Sequence, residues 1–417
     1  MVIHTHSIPT AASPGEVPRI ATGDSGFFAP PVKSSARPRL HVIVPALPPL
    51  LDGIGDYTAR LVEALSPALD ITVLSDSRAE ADPIPGATIL PTFDPETRRS
   101  VWSIADAVIA DHPDAILVQY NPFAYGRWGL NIDLPRALKC IRRHAPSIPI
   151  IVMMHETYVP VTNWKFAIMT TWQRWQFFQI GRAADAVCFS IQPWADQRRD
   201  GFCRGSVYHL PVGSNVPREP ITRDEARVLL GIEDDELVLG VFGTAHVSRL
   251  MEPLRSSARA VAATGRRVRV VYIGPHGEAV RDALGDLPLI ADGPHPADEV
   301  SRRISAMDVF LATYADGVST RRGAMMAALQ HGVPVVGTRG HHTDPELIAV
   351  DGNALLLAPA GDISAFDAAV LRLASNPSLR DEIGAQGAQL FNRRYAWPAI
   401  AANLMEILRR TKPADQS

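Results

Sequence analysis

The residues best suited to binding an anion lie in segment 314–323, directly after a short apolar run. In order along the chain they are Asp316, Gly317, Ser319, Thr320, Arg321 and Arg322. Ser319 or Thr320 could cap a helix predicted over 324–330 and leave its backbone amides and positive end free. The two arginines add permanent positive charge, although one of them is expected to face solvent. The pattern predicts a site for a negatively charged ligand.

Another basic residue, Arg249, comes shortly after an apolar run that ends at Phe242. Gly243 and Thr244 begin the segment between them, and glycine lets a backbone pass close to a ligand. The Arg249 guanidinium could neutralise a diphosphate leaving group. The alternative is an arginine that is merely solvated at the surface.

His155 and Glu156 directly follow a wholly apolar run over 150–154. A histidine at the end of such a run could hydrogen-bond a substrate hydroxyl or transfer a proton. The alternative is a loop histidine whose hydrogen bonds are all made within the protein. We predict that His155 faces a ligand.

A glycine segment over 53–57 contains Gly53 and Gly55, followed by Asp56 and Tyr57. Its flexible backbone and the amides of the helix that follows could approach a phosphate or a sugar. The rival interpretation is a dinucleotide-binding fingerprint, which needs a third glycine where this chain has Thr58. An oxidoreductase that binds NAD tightly is therefore the less favoured alternative.

Segment 338–346 carries a further polar group, which consists of His341, His342, Asp344 and Glu346. Adjacent histidine side chains diverge on most backbones, and no further ligands follow with suitable spacing, so we expect no metal site. The cysteines also lack metal-ligand spacing and are interpreted as reduced structural thiols, namely Cys140, Cys188 and Cys203.

All of these segments follow predicted strands. Short β-branched runs alternate with helical segments, which is typical of a parallel sheet. The predicted strands are 40–44, 71–74, 115–119, 150–154, 186–189 and 207–210 in the first half, and 237–242, 268–273, 289–291, 309–312, 333–336 and 354–357 in the second. Ligands bind outside the carboxyl ends of strands in open parallel sheets. The sequence predicts an α/β fold of two Rossmann-like, doubly wound parallel-sheet domains that face a central cleft.

Composition divides the chain into four parts. Residues 1–37 are rich in proline and lack hydrophobic periodicity, so they are predicted to form a disordered N-terminal arm. Residues 38–213 and 214–394 are predicted to be the two domains, because the proline-containing segment 211–220 suits a hinge. Residues 395–417 are predicted to be a closing helix and tail, since apolar residues recur at helical spacing between 400 and 408.

The overall charge argues against a nucleic-acid partner. There are 41 basic and 44 acidic residues, a net charge of −3, and no long run of one sign. Neither a long apolar stretch nor a signal-peptide pattern occurs, so a cytoplasmic protein is expected. Segment 164–178 interleaves aromatic residues with Lys165 and Arg174, which allows peripheral membrane contact. A core-facing helix is the favoured alternative for that segment.

Over about residues 39–410 the chain resembles a retaining glycosyltransferase of the GT-B fold, from family four, the group 1 glycosyltransferases. The resemblance rests on the glycine segment at 53–57, His155 after its apolar strand, Gly243 with Arg249, Gly-Val-Pro-Val-Val at 332–336, and Tyr-Ala-Trp at 395–397. A lysine is more usual in that family than Arg249.

The resemblance implies transfer of a sugar from a nucleoside diphosphate sugar to an acceptor hydroxyl, with retention of anomeric configuration and without a cofactor or metal. His155 and Arg249 are the implied catalytic residues. Contacts to the donor are implied for Gly53, Gly55, Gly243, Thr244, Asp316, Gly317, Ser319, Thr320, Arg321 and Glu346. The acceptor is a saccharide, a lipid-linked or another small molecule, and the implied contacts on its side are Asp56, Tyr57 and Glu156.

One departure from the family concerns two glutamates that are typically eight positions apart before Gly-Val-Pro-Val-Val. The matching positions here are Ser319 and Ala327. In the family the first glutamate touches the donor sugar and the second the ribose, so both contacts are missing, and Asp316 or Glu346 could replace one. Each such bond is worth about 1.5–3 kcal/mol, so donor binding need not be abolished. The alternative function is a non-catalytic partner protein that binds a nucleotide sugar or supports an active enzyme.

Overall fold

The computed structural model describes residues 37–411 except 51, 160, 162 and 245–247. Residues 1–36 of the predicted N-terminal arm and residues 412–417 of the predicted tail lie outside the described residues. From Arg37 onward the chain forms one compact unit.

The first half of the chain builds a sheet whose strands all run parallel to their neighbours. The strands are β1 (Arg39–Ile43), β2 (Asp70–Asp76), β3 (Ala87–Phe93), β4 (Ala115–Tyr120), β5 (Ile150–Met154), β6 (Ala186–Phe189) and β7 (Ser206–His209). Their order is β3-β2-β1-β4-β5-β6-β7. Leu40 in β1 is opposite Ile71 of β2 on one side and Ala115 of β4 on the other. The winding direction therefore reverses beside β1, which opens a crevice at the carboxyl ends of β1 and β4.

β3 is absent from the strands predicted by sequence. Its sequence contains Pro91, which cannot donate a ladder hydrogen bond and so argues against a strand inside a sheet. The structure resolves the conflict because β3 is an edge strand that pairs only with β2. Most of its side chains are exposed or half-buried, so it also lacks the apolar signal of the inner strands.

The second half of the chain builds another parallel sheet. Its strands are β8 (Leu237–Phe242), β9 (Val268–Ile273), β10 (Leu289–Ile290), β11 (Val309–Ala312), β12 (Val335–Arg339) and β13 (Leu356–Pro359), in the order β10-β9-β8-β11-β12-β13. The reversal of winding falls beside β8, between β8 and β11. Two parallel-sheet α/β domains are thus present, which confirms the predicted fold class.

Helices connect the strands. In the first half they are α1 (Gly53–Leu65), α2 (Trp102–Asp111), α3 (Asp133–His144), α4 (Trp164–Ala183) and α5 (Gln192–Asp196), with short 3-10 turns at Arg98–Val101 and Arg127–Gly129. In the second half they are α6 (Arg223–Leu230), α7 (Met251–Ala263), α8 (Gly277–Leu284), α9 (Ala297–Ser305), α10 (Gly323–Gln330), α11 (Pro345–Ile348), α12 (Ile363–Ser375), α13 (Pro377–Arg394) and α14 (Trp397–Thr411).

The apolar core lies on both faces of each sheet. Successive strand residues point to opposite faces, so Val42 and Ile43 of β1 belong to different apolar clusters, and both are fully buried. The cluster that contains Val42 also includes Leu61 of α1, Leu404 of α14 and Val271 of β9. α14 lies against α1 and α13, so the last helix joins the two halves through this shared core.

The start of α1 and the capping of α10 differ from expectation. The glycine segment at 53–57 is the first turn of α1, because the Asp52 carboxylate caps the helix by accepting hydrogen bonds from the amides of Ile54 and Gly55. The prediction that Ser319 or Thr320 caps α10 was wrong. That helix begins at Gly323, and Arg322 precedes it without any capping bond from its side chain.

α4 divides its aromatic residues between core and surface. Phe177 is fully buried, whereas 69% of the surface of Trp164 and 45% of that of Trp175 are exposed. One face of this helix therefore packs into the core, as favoured from the sequence, and the other presents aromatic rings outward. No helix among the described residues is both long and apolar enough to cross a membrane.

Candidate active site

Loops from both sheets meet where the strands end. The Thr320 hydroxyl, after β11, donates to the carbonyl of Ser190, after β6, over 2.7 Å. The amide of Val212, after β7, donates to the Thr320 carbonyl over 2.9 Å. Direct hydrogen bonds therefore join the strand-end loops of the two halves, and the candidate residues lie around this junction.

Arg249 is buried at the end of β8, with 6% of its surface exposed. Its guanidinium donates to the carbonyls of Phe242 over 2.8 Å and Thr244 over 3.2 Å, and to the Tyr314 hydroxyl over 3.3 Å. Nη1 has no hydrogen-bond partner within the described part of the chain, and no carboxylate there forms an ion pair with Arg249. A permanent positive charge is thus held in place and left without compensation, which favours an anionic ligand.

The backbone beside Arg249 requires glycine. Gly243 has a φ of 103°, a left-handed conformation that residues with a side chain rarely adopt. A methyl group placed there would lie 3.4 Å from Nη2 of Arg249 and 3.9 Å from the Ala324 side chain. Gly243 therefore lies between the buried arginine and the start of α10, with its open backbone facing both.

Arg321 and Arg322 both bind Asp316. Nη2 of Arg321 lies 2.5 Å and Nη2 of Arg322 lies 2.6 Å from the two Asp316 oxygens. Burial alone would raise the pKa of Asp316, but a hydrogen bond from His342 and the two arginine charges hold it well below its usual value. The carboxylate therefore stays ionised and compensates only part of the arginine charge.

Arg321 also reaches the first half of the molecule. It forms an ion pair with Glu156, the residue after His155, and its guanidinium lies 4.9 Å from the ring centre of Trp194. The Arg322 guanidinium lies 4.1 Å from the ring centre of Tyr314. The predicted solvent-facing arginine is therefore not found, because both side chains are largely buried against carboxylates and aromatic rings.

His155 lies in a buried pocket at the end of β5. Its Nε2 is 2.7 Å from Oε1 of Gln119, and its ring contacts Tyr57 edge to face with 4.9 Å between ring centres. Burial lowers the pKa of His155 to about 3, so the ring is neutral near pH 7. With Gln119 accepting from Nε2–H, Nδ1 is left as a hydrogen-bond acceptor.

Tyr57 connects this pocket to the C-terminal helix. Its ring also meets Trp397 edge to face, with 5.3 Å between centres, and its buried hydroxyl has no partner among the described residues. The Trp397 indole nitrogen donates to the Ser214 carbonyl over 2.8 Å. His155, Tyr57 and Trp397 therefore form one continuous aromatic group, which no sequence pattern had linked.

Asp344 joins the two halves, a role that sequence reasoning missed. One of its oxygens accepts from the Gln192 amide over 2.6 Å and the other from the Thr320 amide over 2.7 Å. His209 completes the contact, with its Nε2 at 2.8 Å from the Thr320 hydroxyl. Burial raises the pKa of Asp344 to about 6, against the lowering effect of those two amides. Its partners are 24 and 152 positions away, so no local signal could have found this contact.

The positions of the two family glutamates differ in surroundings. Ser319 is fully buried, and its hydroxyl has no partner within the described chain. Ala327 is also fully buried, but in the apolar cluster that contains Met326 and Leu329. Glu346, a candidate substitute, accepts from the Tyr395 hydroxyl over 3.0 Å and lies 3.7 Å from Arg394.

The glycine turn at α1 supports the first half of the site. A methyl group on Gly55 would lie 2.7 Å from the Ala46 carbonyl oxygen, so this glycine allows α1 to pack closely on the loop after β1. Gly53 has open space around it, and its carbonyl accepts from Asn215 over 3.2 Å. Burial, with the nearby charge of Asp52, raises the pKa of Asp56.

The candidate residues thus form two groups. Ion pairs and ring contacts bring together Gly243, Thr244, Arg249, Asp316, Arg321 and Glu156 around Tyr314. His155 and Tyr57 form a second group, and they lie on the first sheet beside Gln119. Gly317 has a φ of 90° and packs against Gly340, while Thr320 and Glu346 are already bonded to protein groups.

Most of the second half is similar to a known protein family. Residues 237–376, from β8 to α12, match the family described as "Glycosyl transferases group 1". The matched residues include Arg249, Tyr314 and Asp316. No curated protein matches the chain in sequence.

Solved structures match almost the whole fold. Sucrose-phosphate synthase from Thermosynechococcus elongatus superimposes with a TM-score of 0.68 at 18% identity, over 90% of this chain and 99% of that one. Anabaena HepE in complex with UDP and glucose gives 0.63 at 14% identity, over 90% and 100%. WaaG, a glycosyltransferase of lipopolysaccharide biosynthesis, gives 0.61 at 12% identity, over 88% and 99%. At these identities the similarity establishes the fold, a GT-B-like pair of α/β domains.

Proposed function

We propose that this chain, whose residues 237–376 match the group 1 glycosyltransferases, transfers a sugar from a nucleoside diphosphate sugar to an acceptor hydroxyl with retention of anomeric configuration. The observation that carries the proposal is Arg249, a buried guanidinium without a carboxylate partner among the described residues, at the carboxyl end of β8. A diphosphate supplies the compensating charge, and the same contact stabilises it as a leaving group.

The surroundings of Arg249 suit a diphosphate. Gly243 removes any side chain between the arginine and the start of α10, so that phosphate oxygens can approach the backbone. Tyr314 lies beneath the guanidinium groups of both Arg249 and Arg322 and limits their movement. Because fixed guanidinium charges are already present, we propose that transfer needs neither a metal ion nor an organic cofactor.

His155 is proposed to orient a hydroxyl rather than to carry a proton. Its ring is neutral near pH 7 and keeps Nδ1 as an acceptor while Gln119 holds Nε2. Ser319 is proposed to face the donor sugar, because its buried hydroxyl has no partner in the described chain. A hydroxyl there contributes a neutral hydrogen bond where the family has a charged one, so the donor is held less strongly.

Donor binding can be tested without knowing the acceptor. UDP and UDP-glucose are the first probes, since both occur in structures of the HepE neighbour, followed by the other nucleoside diphosphates. Calorimetry is expected to show that Arg249→Ala weakens diphosphate binding about tenfold to a hundredfold, the value of one charge-assisted bond. The exposed Arg281→Ala variant in α8 serves as the matched control and is expected to bind like the wild type. Equal binding by Arg249→Ala would overturn the proposal.

Turnover and stereochemistry are tested by slow hydrolysis of the donor. We expect release of UDP from UDP-glucose in the presence of EDTA, with the α-anomer of glucose appearing first by proton NMR. Initial release of the β-anomer would contradict retention. Diphosphate binding without hydrolysis, and without transfer to any saccharide, would favour the non-catalytic partner function instead.

A further inference from the structure

A cavity of about 640 Å³ lies at the carboxyl ends of β1, β2 and β4, within the first half of the molecule. It lies between the loop after β1, the first turn of α1 and the loop over 121–130. Neither Arg249 nor any residue bound to it lines this cavity, so it is separate from the proposed diphosphate site. Its size is in the range of pockets that hold small-molecule ligands.

The polar lining of the cavity is negatively charged. Among the side chains that the structure describes, it contains the carboxylates of Asp52, Asp76 and Glu96 and one guanidinium, that of Arg78. Arg78 is already bound by Asp76 at 2.9 Å, by Asp94 at 3.0 Å and by Glu96 at 3.3 Å. The guanidinium is therefore occupied, and the excess of carboxylates repels phosphate and carboxylate groups. Carboxylate oxygens accept hydrogen bonds from hydroxyl groups, which a neutral sugar supplies.

Two exposed aromatic rings belong to the apolar lining of the cavity. Phe123 and Trp128 line it with 52% and 60% of their surfaces exposed. An aromatic face carries partial negative charge, which suits the C–H groups on one side of a sugar ring. Exposed aromatic rings beside hydroxyl-binding carboxylates are the combination that a saccharide requires, with an apolar face and a polar edge.

Hydrogen bonds connect the loop that carries Trp128 to neighbouring segments. Gly126, Trp128 and Gly129 have φ values of 92°, 62° and 71°, and a left-handed backbone is costly for a tryptophan. The Trp128 carbonyl accepts from the Trp172 indole of α4 over 3.4 Å, and the Gly126 amide donates to Pro95 over 2.7 Å. The ring therefore projects from a braced loop, which reduces the entropy lost when a ligand stacks on it.

The cavity adjoins the acceptor side of the proposed active site. Asp52 and Ile54, which line it, begin α1, and Tyr57 on the next turn of that helix contacts His155. A ligand in the cavity is therefore separated by about one helical turn of α1 from the histidine proposed to orient a hydroxyl.

From this geometry we propose that the cavity binds the acceptor, and that the acceptor is a saccharide without phosphate or carboxylate groups, stacked on Trp128. The inference rests on the proposed function, since it names the second substrate of the same reaction. The inference goes beyond the proposed function by naming the class of acceptor, because the lining excludes sugar phosphates, uronic acids and anionic lipid headgroups from this cavity.

The test uses saturation-transfer NMR with the full-length protein. The probes are glucose, cellobiose and maltose, with glucose 6-phosphate and glucuronate as the charged counterparts. We expect the neutral sugars to bind at least tenfold more tightly than the charged ones. Trp128→Ala is expected to weaken that binding at least tenfold, whereas Trp164→Ala, which removes an exposed tryptophan of α4 outside the cavity, is expected to leave it unchanged.

A charge variant provides the second measurement. Glu96 is 78% exposed, so Glu96→Lys is expected to fold normally and to reduce the preference for neutral over phosphorylated sugars at least threefold. The inference is overturned if no saccharide binds, if glucose 6-phosphate binds as well as glucose, or if Trp128→Ala binds like the wild type. UDP affinity measured on the same variants is expected to stay unchanged. If the wild type does not bind UDP, the proposed function is contradicted, even if sugars still bind in the cavity.

Discussion

A guanidinium buried away from water is stable only if its donors find acceptors, and the arginines of this site meet that requirement to different degrees. Arg321 and Arg322 share the Asp316 carboxylate, and Arg321 also binds Glu156. Among the described residues Arg249 donates only to neutral oxygen atoms, and one of its nitrogen atoms has no partner there. Of the three arginines, Arg249 is therefore the one whose charge no described carboxylate offsets, which favours an anionic ligand beside it.

His155 leads to a prediction about pH. Since burial lowers its pKa to about 3, its protonation state does not change between pH 8 and pH 5. We expect His155→Asn to lower the transfer rate about tenfold, the value of one lost hydrogen bond. The shape of the pH–rate profile is expected to stay the same, as measured by donor hydrolysis across that range.

The pH–rate profile of His155→Asn can also contradict this prediction. If His155 titrates during the reaction, the wild type will show an inflection between pH 6 and 7 that is missing from His155→Asn. In that case the histidine acts as a proton carrier and not as a neutral hydrogen-bonding group.

Among the elements, α10 shows that the family contact missing at Ala327 involves the packing of a whole helix and not only one side chain. Ala327 lies in the middle of this helix and is fully buried with Met326 and Leu329 in the apolar core. The helix therefore has no polar surface at the position where a ribose-binding carboxylate is usual. Ser319, by contrast, precedes the helix and keeps a polar group available.

We expect Ala327→Glu to destabilise the protein instead of restoring a family contact. An ionised carboxylate placed in this core lacks partners, and the loss is expected to reach about 3 kcal/mol or more in the free energy of unfolding. Urea denaturation measures it. Ala368→Glu, at an exposed position of α12, is the matched control and is expected to change stability by less than about 0.5 kcal/mol.

Two outcomes would contradict this view of α10. One is an Ala327→Glu protein as stable as the wild type, and the other is a variant that binds UDP-glucose more tightly. Either result would show that the carboxylate can reach the ligand, and that the helix is less tightly packed than the structure indicates.

For the whole molecule, the contact between the two halves depends on buried groups whose protonation differs between the folded and unfolded states. The Asp344 carboxylate accepts hydrogen bonds from backbone amides of both halves, and His209 binds the Thr320 hydroxyl across the same contact. Burial raises the pKa of Asp344 to about 6 and lowers that of His209 to about 4. Acid therefore affects these two residues in opposite directions.

The sum of these effects predicts that the fold loses stability in mild acid. Burial lowers the pKa of His155 to about 3 and those of His209 and His331 to about 4. Below pH 6.5 the unfolded chain takes up three protons that the folded chain refuses, so its stability falls as the pH falls. Below pH 6 the folded chain takes up one proton at Asp344 that the unfolded chain does not, and this offsets the effect of about one histidine. We expect a net loss on the order of 4 kcal/mol between pH 7 and pH 5.

Thermal unfolding at pH 7 and pH 5 checks this expectation. The melting temperature is expected to be lower at pH 5, and His331→Asn is expected to reduce the difference by nearly half, since one histidine accounts for about 2 of the net 4 kcal/mol. A melting temperature that is unchanged or higher at pH 5 would show that the buried histidines accept protons in the folded state.

The sequence by itself determined the alternation of strands and helices, the fold class and the loops in which the candidate residues lie. Apolar runs and helical spacing are local signals, so β8, β9 and β11 were predicted with the bounds that the structure has. The edge strand β3 was missed because Pro91 and its exposed side chains carry no such signal. The cap of α10 was assigned to the wrong residues because a Ser-Thr pair resembles a helix cap wherever it occurs.

Only the tertiary structure decided which of those residues are free to meet a ligand. Arg321 binds Glu156 from 165 positions away, Thr320 contacts Ser190 across 130 positions, and Gln119 holds His155 across 36. These partners decide which of the predicted polar groups remain available. Burial likewise sets the charge state of His155, and no carboxylate in the described part of the chain compensates Arg249. Charge state and availability depend on what surrounds a side chain in space, and distant segments supply those surroundings.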